Sequence, residues 1–270
     1  MISKSDLMDL RKQTGAGIMD CKEALEKNNG DLKEAVYYLR KKGLSKAAKK
    51  ADRTTAEGLI AISLSDDNKS ASMLSLNCET DFVSKNEEFV KFANELGLLS
   101  VENGEGDVEK FLLLSSDGEK VSDRLTSLIA KFGENIVINS LMNKKTSGSF
   151  ASYLHFNKKI GVLVEFKGEV DEKIGKSIAM HIAAYSPSYL DHTEIEKDVL
   201  DREKDLFKSE LASMNKPESV VEKIIEGKMK GLYKTMCLLD QEFIEDPKIS
   251  VRDHLNKSGA EVVSFKRMSL

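Results

Sequence analysis

The chain has 270 residues, 41 Lys and Arg against 45 Asp and Glu, and a net charge of −4. That length can bury two or three cores, and the near-balanced charge offers no molecule-wide field for nucleic acid. Cys21, Cys78 and Cys237 lie far apart without CxxC spacing, the N-terminus is polar, and no apolar run approaches about 20 residues, which argues against a disulfide framework, a structural zinc site and a membrane helix, so that a reducing, cytoplasmic setting is expected.

Residues 1–53 read as a small three-helix bundle with a basic linker. Leu7, Leu10 and Arg11 lie on a first helix that ends at Thr14-Gly15-Ala16-Gly17. Ile18, Cys21 and Leu25 mark a second, ended by Asn28-Asn29-Gly30. Asp31 caps a third that carries Leu32, Ala35, Val36 and Leu39, with Arg40, Lys41 and Lys42 in its last turn and Gly43 as its stop. The Gly15–Gly17 turn lacks the lysine and serine of a phosphate loop and follows no strand, so nucleotide binding is not expected there. The run LSKAAKKADR, residues 44–53, interleaves no aromatic residue, which favours a solvated hinge over a single-stranded nucleic-acid site.

From Thr55 onward the sequence repeats an architecture. Strand patterns from Gly58 and through Met73 flank SDDNKS; a second pair, from Ser149 and from Ile160, flanks NKK, and both read as hairpins. In the first, Ala71, Met73 and Leu74 are expected to face a core and the intervening serines water. An amphipathic helix follows each hairpin, at residues 87–99 and 171–185, the latter with Ile174, Ile178, Ile182 and Ala183 on one face. Each unit then closes alike: a helix (residues 121–132 or 251–257), a glycine (Gly133 or Gly259) and a strand (residues 135–141 or 261–265). The fold class is therefore α+β: a bundle, then two repeated subdomains, each a three-stranded antiparallel sheet with helices on one face. The expected divisions are residues 1–53, 54–145 and 146–270, with the joint at residues 144–149. The second unit carries an insertion at about 193–234 that reads as a protruding antiparallel helical hairpin. Ile195, Val199, Leu206, Leu211 and Met214 are expected to meet Val220, Val221, Ile224, Ile225 and Met229, with a break at Asn215-Lys216 and Pro217 as the first residue of the returning helix.

The stretch NCETDFVSKNEEFVKFANE, residues 77–95, joins the first hairpin to its helix. Ser84 and Glu87 have capping-box spacing, which would start the helix near Lys85 and leave Thr80, Asp81, Phe82 and Val83 in a turn. Phe82 then either folds back as a staple on the first helical turn or stands out as a wedge for a partner, with Asp81 beside it. The corresponding place in the second unit is Lys167-Gly168-Glu169-Val170, without an aromatic residue, which favours a role for Phe82 beyond folding.

The string ETDFVSKNEEF, together with TGAGIMDCKEALEKNNGD and KKIGVLVEF, closely resembles the elongation factor Ts family, exchange factors for the GTPase elongation factor Tu. The resemblance runs over nearly the whole chain. It implies a ubiquitin-associated-like bundle at the front, a non-enzymatic guanine nucleotide exchange activity without cofactors, and elongation factor Tu, GDP-bound or nucleotide-free, as partner. It further implies that Thr80, Asp81, Phe82 and Val83 dislocate the partner's Mg2+, and that Arg11, Met19, Lys22 and His155, expected in a strand, bind the partner. Ile18 stands where the family often has a second Met, and Glu242 where it has a proline after the glutamine. Many relatives continue past Phe265 into a C-terminal helix, so fewer contacts are expected from this end. A homodimer is left open.

Catalysis is not expected. His155, His181, His192 and His254 fall in separate elements without metal-ligand spacing, and no nucleophile elbow, phosphate loop or dinucleotide fingerprint is present. Two readings of other classes stand beside exchange: an RNA- or ribosome-associated protein using residues 44–53, and a docking adaptor using the bundle and helical hairpin.

Overall fold

In the computed structural model, which describes residues 3–116, 118–211 and 217–270, the chain opens with α1 (Lys4–Thr14), α2 (Ile18–Lys27) and α3 (Leu32–Ala48). The Ser3 hydroxyl accepts from the Asp6 amide at the head of α1, and Gly15 closes it at φ 64°. The Asp31 carboxylate accepts from the amides of Lys33 and Glu34 to start α3. Leu10, Cys21, Ala24, Leu25, Ala35 and Leu39 close the bundle core.

Gly43 does not stop the third helix, which runs on to Ala48. Gly43 is buried against α7 (Val121–Phe132), where a β-carbon would lie 3.6 Å from that of Ala130 and 3.7 Å from the Thr126 methyl. Arg40 pairs with Asp123, and Ala47 joins the next core. The first half of the basic run is thus helix, docked on the following subdomain, and its charges are partly spent: Lys46 pairs with Asp20 at 2.9 Å and Arg53 lies 3.4 Å from Glu79.

The first sheet comprises β1 (Glu57–Leu64), β2 (Ser70–Cys78) and β5 (Ile136–Lys145), antiparallel in the order β1-β2-β5. Between β2 and β5 come α4 (Asp81–Ser84), α5 (Glu87–Asn103), α6 (Val108–Leu112), a small ribbon of β3 (Ser115–Ser116) and β4 (Glu119–Lys120), and α7. Phe89, Phe92 and Leu96 of α5, with Phe111 and Leu128, cover one face of this sheet. The second sheet, order β10-β7-β6, is built from β6 (Ser149–Leu154), β7 (Ile160–Phe166) and β10 (Val262–Ser269). Its face is covered by α8 (Glu172–Tyr185), started by Asp171, and by α11 (Val251–Ser258). Gly133 and Gly259 end α7 and α11 at φ 76° and 68° before the closing strands, so the repeated glycines serve the same left-handed cap.

The serines of β2 do not face water. Ser72 and Ser75 are buried, and Ser75 and Ser140 share a hydrogen bond of 3.0 Å. Ser72 shares the face of Leu74, under the helices, while Ser75 shares that of Met73, where a second layer stands: Ile60, Ala71 and Met73 of the first sheet pack on Phe150 and Leu163 of the second. Gly161 permits that approach, since a β-carbon there would lie 2.7 Å from Ile60 Cγ2.

The insertion forms α9 (Lys197–Leu211) and α10 (Glu218–Met236), followed by a 3-10 turn at Leu238–Asp240 and a ribbon of β8 (Glu242–Phe243) and β9 (Asp246–Ser250). Leu211, Ile225 and Met229 form the hairpin core with Leu200, Phe207, Val221 and Ile224 around it. Leu206 and Val220 remain exposed, so Leu200 and Phe207 take the places expected of Leu206 and Val199, while Ile195 is buried outside this cluster. Pro217 is the N-cap of α10 rather than its first residue. Met214 and the Asn215-Lys216 break lie outside the described residues.

Candidate functional site

The β2 ladder ends at the pair Cys78–Ile136, and the same register carries Glu79 beside Asn135 and Thr80 beside Glu134. The Glu79 carboxylate accepts from the Asn135 amide at 2.6 Å, and Glu134 accepts from both the Thr80 amide (3.0 Å) and the Thr80 hydroxyl (2.5 Å). Thr80 is the N-cap of the single-turn helix α4, but its hydroxyl is turned to Glu134 and makes no cap bond. Residues 80–83 are thus not an open turn. The expected Ser84–Glu87 box is absent too: Ser84 ends α4 and donates to the Asp81 carbonyl at 3.2 Å, while Asn86 caps α5 by accepting from the Glu88 amide at 2.9 Å. An Asn immediately before the helix outcompeted a Ser two residues further back.

The single turn of α4 sorts its side chains sharply. Val83 enters the first subdomain's core at 7% exposure, while Phe82 points outward at 85%. The staple is therefore excluded: Phe82 does not fold back on the helix. Val83, in turn, anchors the turn from below instead of being displayed. Asp81 is half-exposed and bonded to Lys85 at 2.6 Å, and that ammonium holds its carboxyl below the usual range, so it is an anion at neutral pH. The cysteine below, Cys78, donates to the Thr80 carbonyl at 3.2 Å, and burial followed by the Glu134 charge pushes its thiol up to about 12. The matching place in the second unit, residues 167–170, forms no helical turn.

His155 does not lie in a strand. β6 ends at Leu154, and His155 opens a tight turn closed by the Lys158 amide donating to its carbonyl at 2.8 Å, with Lys158 at φ 56°. Its ring Nδ1 is 3.0 Å from the Tyr153 hydroxyl, and its ring centroid lies 4.5 Å from that of Phe156, the planes tilted by 53°. Phe156 is 86% exposed, and sequence reasoning missed it: a single aromatic between a strand and an Asn-Lys turn looks like the last residue of the strand. The turn is fastened to the first sheet, with the Ile60 amide donating to the Lys158 carbonyl at 2.8 Å and Lys159 paired with Glu57 at 2.6 Å. As a result, Phe156 and Asn157 from one subdomain and Asp81, Ser84 and Lys85 from the other line one cavity of about 520 Å³. The structure thus brings Phe156, the neighbour of His155, together with Asp81, while His155 itself does not line that cavity.

The bundle contributes at the neighbouring end. The Gly15 turn abuts Lys131, which pairs with Glu88 in the first turn of α5, just past α4. Beyond that turn, Met19 is 71% exposed on α2, Arg11 is exposed on α1, and Lys22 makes only a long 3.8 Å pair with Glu26. Phe156, Phe82 and Met19 are the three most exposed large apolar side chains among the described residues. Among those residues there is also no cluster of three or more His, Cys, Asp or Glu able to hold a metal, and no helix long and apolar enough to cross a membrane.

Comparison with known proteins bears on this face. Residues 79–270, which begin one residue before Thr80, match the family model described as Elongation factor TS. The chain is 40% identical to the elongation factor Ts of Halothermothrix orenii over all of its own length and 92% of that protein. It is 41% identical to that of Clostridium novyi (98% and 89% covered) and 39% identical to that of Thioalkalivibrio sulfidiphilus (98% and 91%). An outward Phe82 on an anchored turn, the two repeated sheets that carry it and full-length likeness to these relatives agree: this chain belongs to the elongation factor Ts family.

Proposed function

We propose that this chain is a translation factor of the cytoplasm that acts, without bond chemistry of its own, as a guanine nucleotide exchange factor for the GTPase elongation factor Tu. The reading rests on one observation above others: the three most exposed large apolar side chains, Phe82, Phe156 and Met19, belong to three different parts of the fold, and each lies at or next to a position that family resemblance associates with the partner. An isolated monomer gains nothing from them, since burying one such ring stabilises a structure by about 2 kcal/mol.

An exchange factor binds the empty GTPase more tightly than the loaded one, and reciprocity then lowers the GTPase's affinity for nucleotide by the same factor. A thousandfold acceleration of release requires about 4 kcal/mol of differential binding. Phe82, inserted between side chains of the GTPase near its Mg2+, supplies about half. The Asp81 carboxylate, an anion at neutral pH, displaces elements that hold the ion, and the phosphate charge that the ion had balanced then favours departure. Thr80 and Val83 hold the wedge from within, while Arg11, Met19, Lys22 and His155 keep it in register against the partner.

The RNA-binding reading is disfavoured, because Lys46 and Arg53 of the basic run already pair with Asp20 and Glu79 within the chain. Stopped-flow release of labelled GDP from elongation factor Tu tests exchange against a docking adaptor. Acceleration that weakens as magnesium is raised is the expected result; binding with an unaltered off-rate would replace exchange by docking.

A further inference from the structure

The wedge needs a fixed pose, and nothing in α4 itself supplies one. The helix has one turn, its N-cap side chain makes no cap bond, and its internal hydrogen bonds are few: Ser84 amide to Thr80 carbonyl at 3.3 Å and Lys85 amide to Asp81 carbonyl at 3.1 Å. A helix this short is not stable by itself. Its inner side is held by Val83, and the Asn86 amide donating to the Val83 carbonyl at 3.0 Å ties its far end to α5, which leaves its entry to be fixed. That entry point is Thr80, and both of its donors, amide and hydroxyl, converge on Glu134. Two hydrogen bonds to one carboxylate, reaching the residue by both backbone and side chain, fix orientation as well as position.

Glu134 lies on a rigid base. It sits between the left-handed Gly133 cap of α7 and Asn135, which is 3% exposed. The Asn135 side-chain amide donates to the carbonyls of Ala51 (3.2 Å) and Arg53 (2.9 Å), in the segment that leaves α3. Two adjacent residues therefore grip the wedge on one side and the bundle's exit on the other.

We propose that Glu134 is a positioning residue for exchange: its carboxylate, through Thr80, sets the direction in which α4 presents Phe82 and Asp81. This rests on the exchange reading above, but its physical core can be measured without a partner. In the free chain, Glu134→Gln, which replaces a double acceptor by a group with a single acceptor oxygen and no charge, should speed amide hydrogen exchange at Ser84 and Lys85 about tenfold while the α5 core amides keep their protection. With elongation factor Tu, the same variant should lower the GDP release rate at saturating protein about tenfold, more than it changes the concentration needed for half-maximal effect. In a Phe82→Ala background the substitution should slow release less than in the parent, because only Asp81 is then left on α4 for Glu134 to aim. Thr80→Val, which deletes the hydroxyl bond and keeps the amide bond, should give a smaller change with the same dependence on Phe82, and serves if Glu134→Gln fails to fold.

Unaltered exchange at Ser84 and Lys85 overturns the positioning role whatever the release assay reads. Equal slowing of release in the parent and Phe82→Ala backgrounds also overturns it, since that marks a general loss of structure. If the parent chain fails to accelerate release at all, the exchange reading falls, and with it any role of Glu134 in release; the amide measurement still reports whether the carboxylate orders α4.

Discussion

Phe82 and Val83 are adjacent in sequence and opposite in environment, so truncating each to alanine should separate function from stability. Phe82 is 85% exposed, and its loss removes almost nothing from the fold: a change within about 0.5 kcal/mol. If the ring is fully buried in the partner when nucleotide leaves, Phe82→Ala forfeits about 2 kcal/mol of transition-state binding, a drop of about 30-fold in release rate at subsaturating protein. Val83 is 7% exposed among Leu59, Phe89 and their neighbours; Val83→Ala removes two buried methyl groups and should destabilise the chain by about 2 kcal/mol, lowering Tm by several degrees. Thermal unfolding by circular dichroism and stopped-flow GDP release on the same preparations read both quantities. A release rate for Phe82→Ala within threefold of the parent refutes the wedge, and an unshifted Tm for Val83→Ala refutes the account of how α4 is anchored.

Four further outcomes follow from the geometry. Phe156→Ala, at 86% exposure, should leave Tm unchanged and weaken binding to elongation factor Tu about tenfold by titration calorimetry; an unchanged Kd removes that ring from the interface. Gly161→Val would drive side-chain atoms into Ile60, Ile62 and Met73 between the two sheets, and should destabilise the protein by about 3 kcal/mol or prevent folding. Although burial opposes ionisation of Asp191, bonds from Arg252 and Thr193 bring its carboxyl down to about 2. Its folded pKa lies below the unfolded one, so its contribution to stability is present above about pH 4 and is lost as pH falls towards 2; Asp191→Asn should flatten acid unfolding in that window. Finally, burial pushes the thiols of Cys78 and Cys237 up to about 12 and about 11, so iodoacetamide at pH 8 should label neither in the folded chain and both in denaturant, read by mass spectrometry.

The sequence carried the repeat well because hairpins and caps are local chemistry: SDDNKS and NKK turn the chain, and Gly133 and Gly259 take a backbone conformation that favours glycine. Where it misled, the deciding atoms lay elsewhere. Gly43 before a basic run has the form of a helix stop, yet Thr126 and Ala130, more than eighty residues on, offer it a surface that keeps the helix going. Alternating serines in β2 signal a water-facing side only when nothing else covers it, and no local pattern announces a second sheet. Phe82 was legible as a candidate through resemblance, but its direction was not, since that depends on Asn86 capping α5 and on Glu134 holding Thr80. Phe156 became visible only when its turn was found fastened to β1.

The unbroken course of α3 through Gly43 has a mechanical consequence. With one end of this helix inside the bundle and the other clasped to α7, the spacing between Met19 and Phe82, the two side chains proposed to meet the partner, is set by residue count. Removing a single residue from its middle would turn one unit against the other by about 100° and draw it in by about 1.5 Å, leaving both side chains of the proposed contact present and out of register with each other.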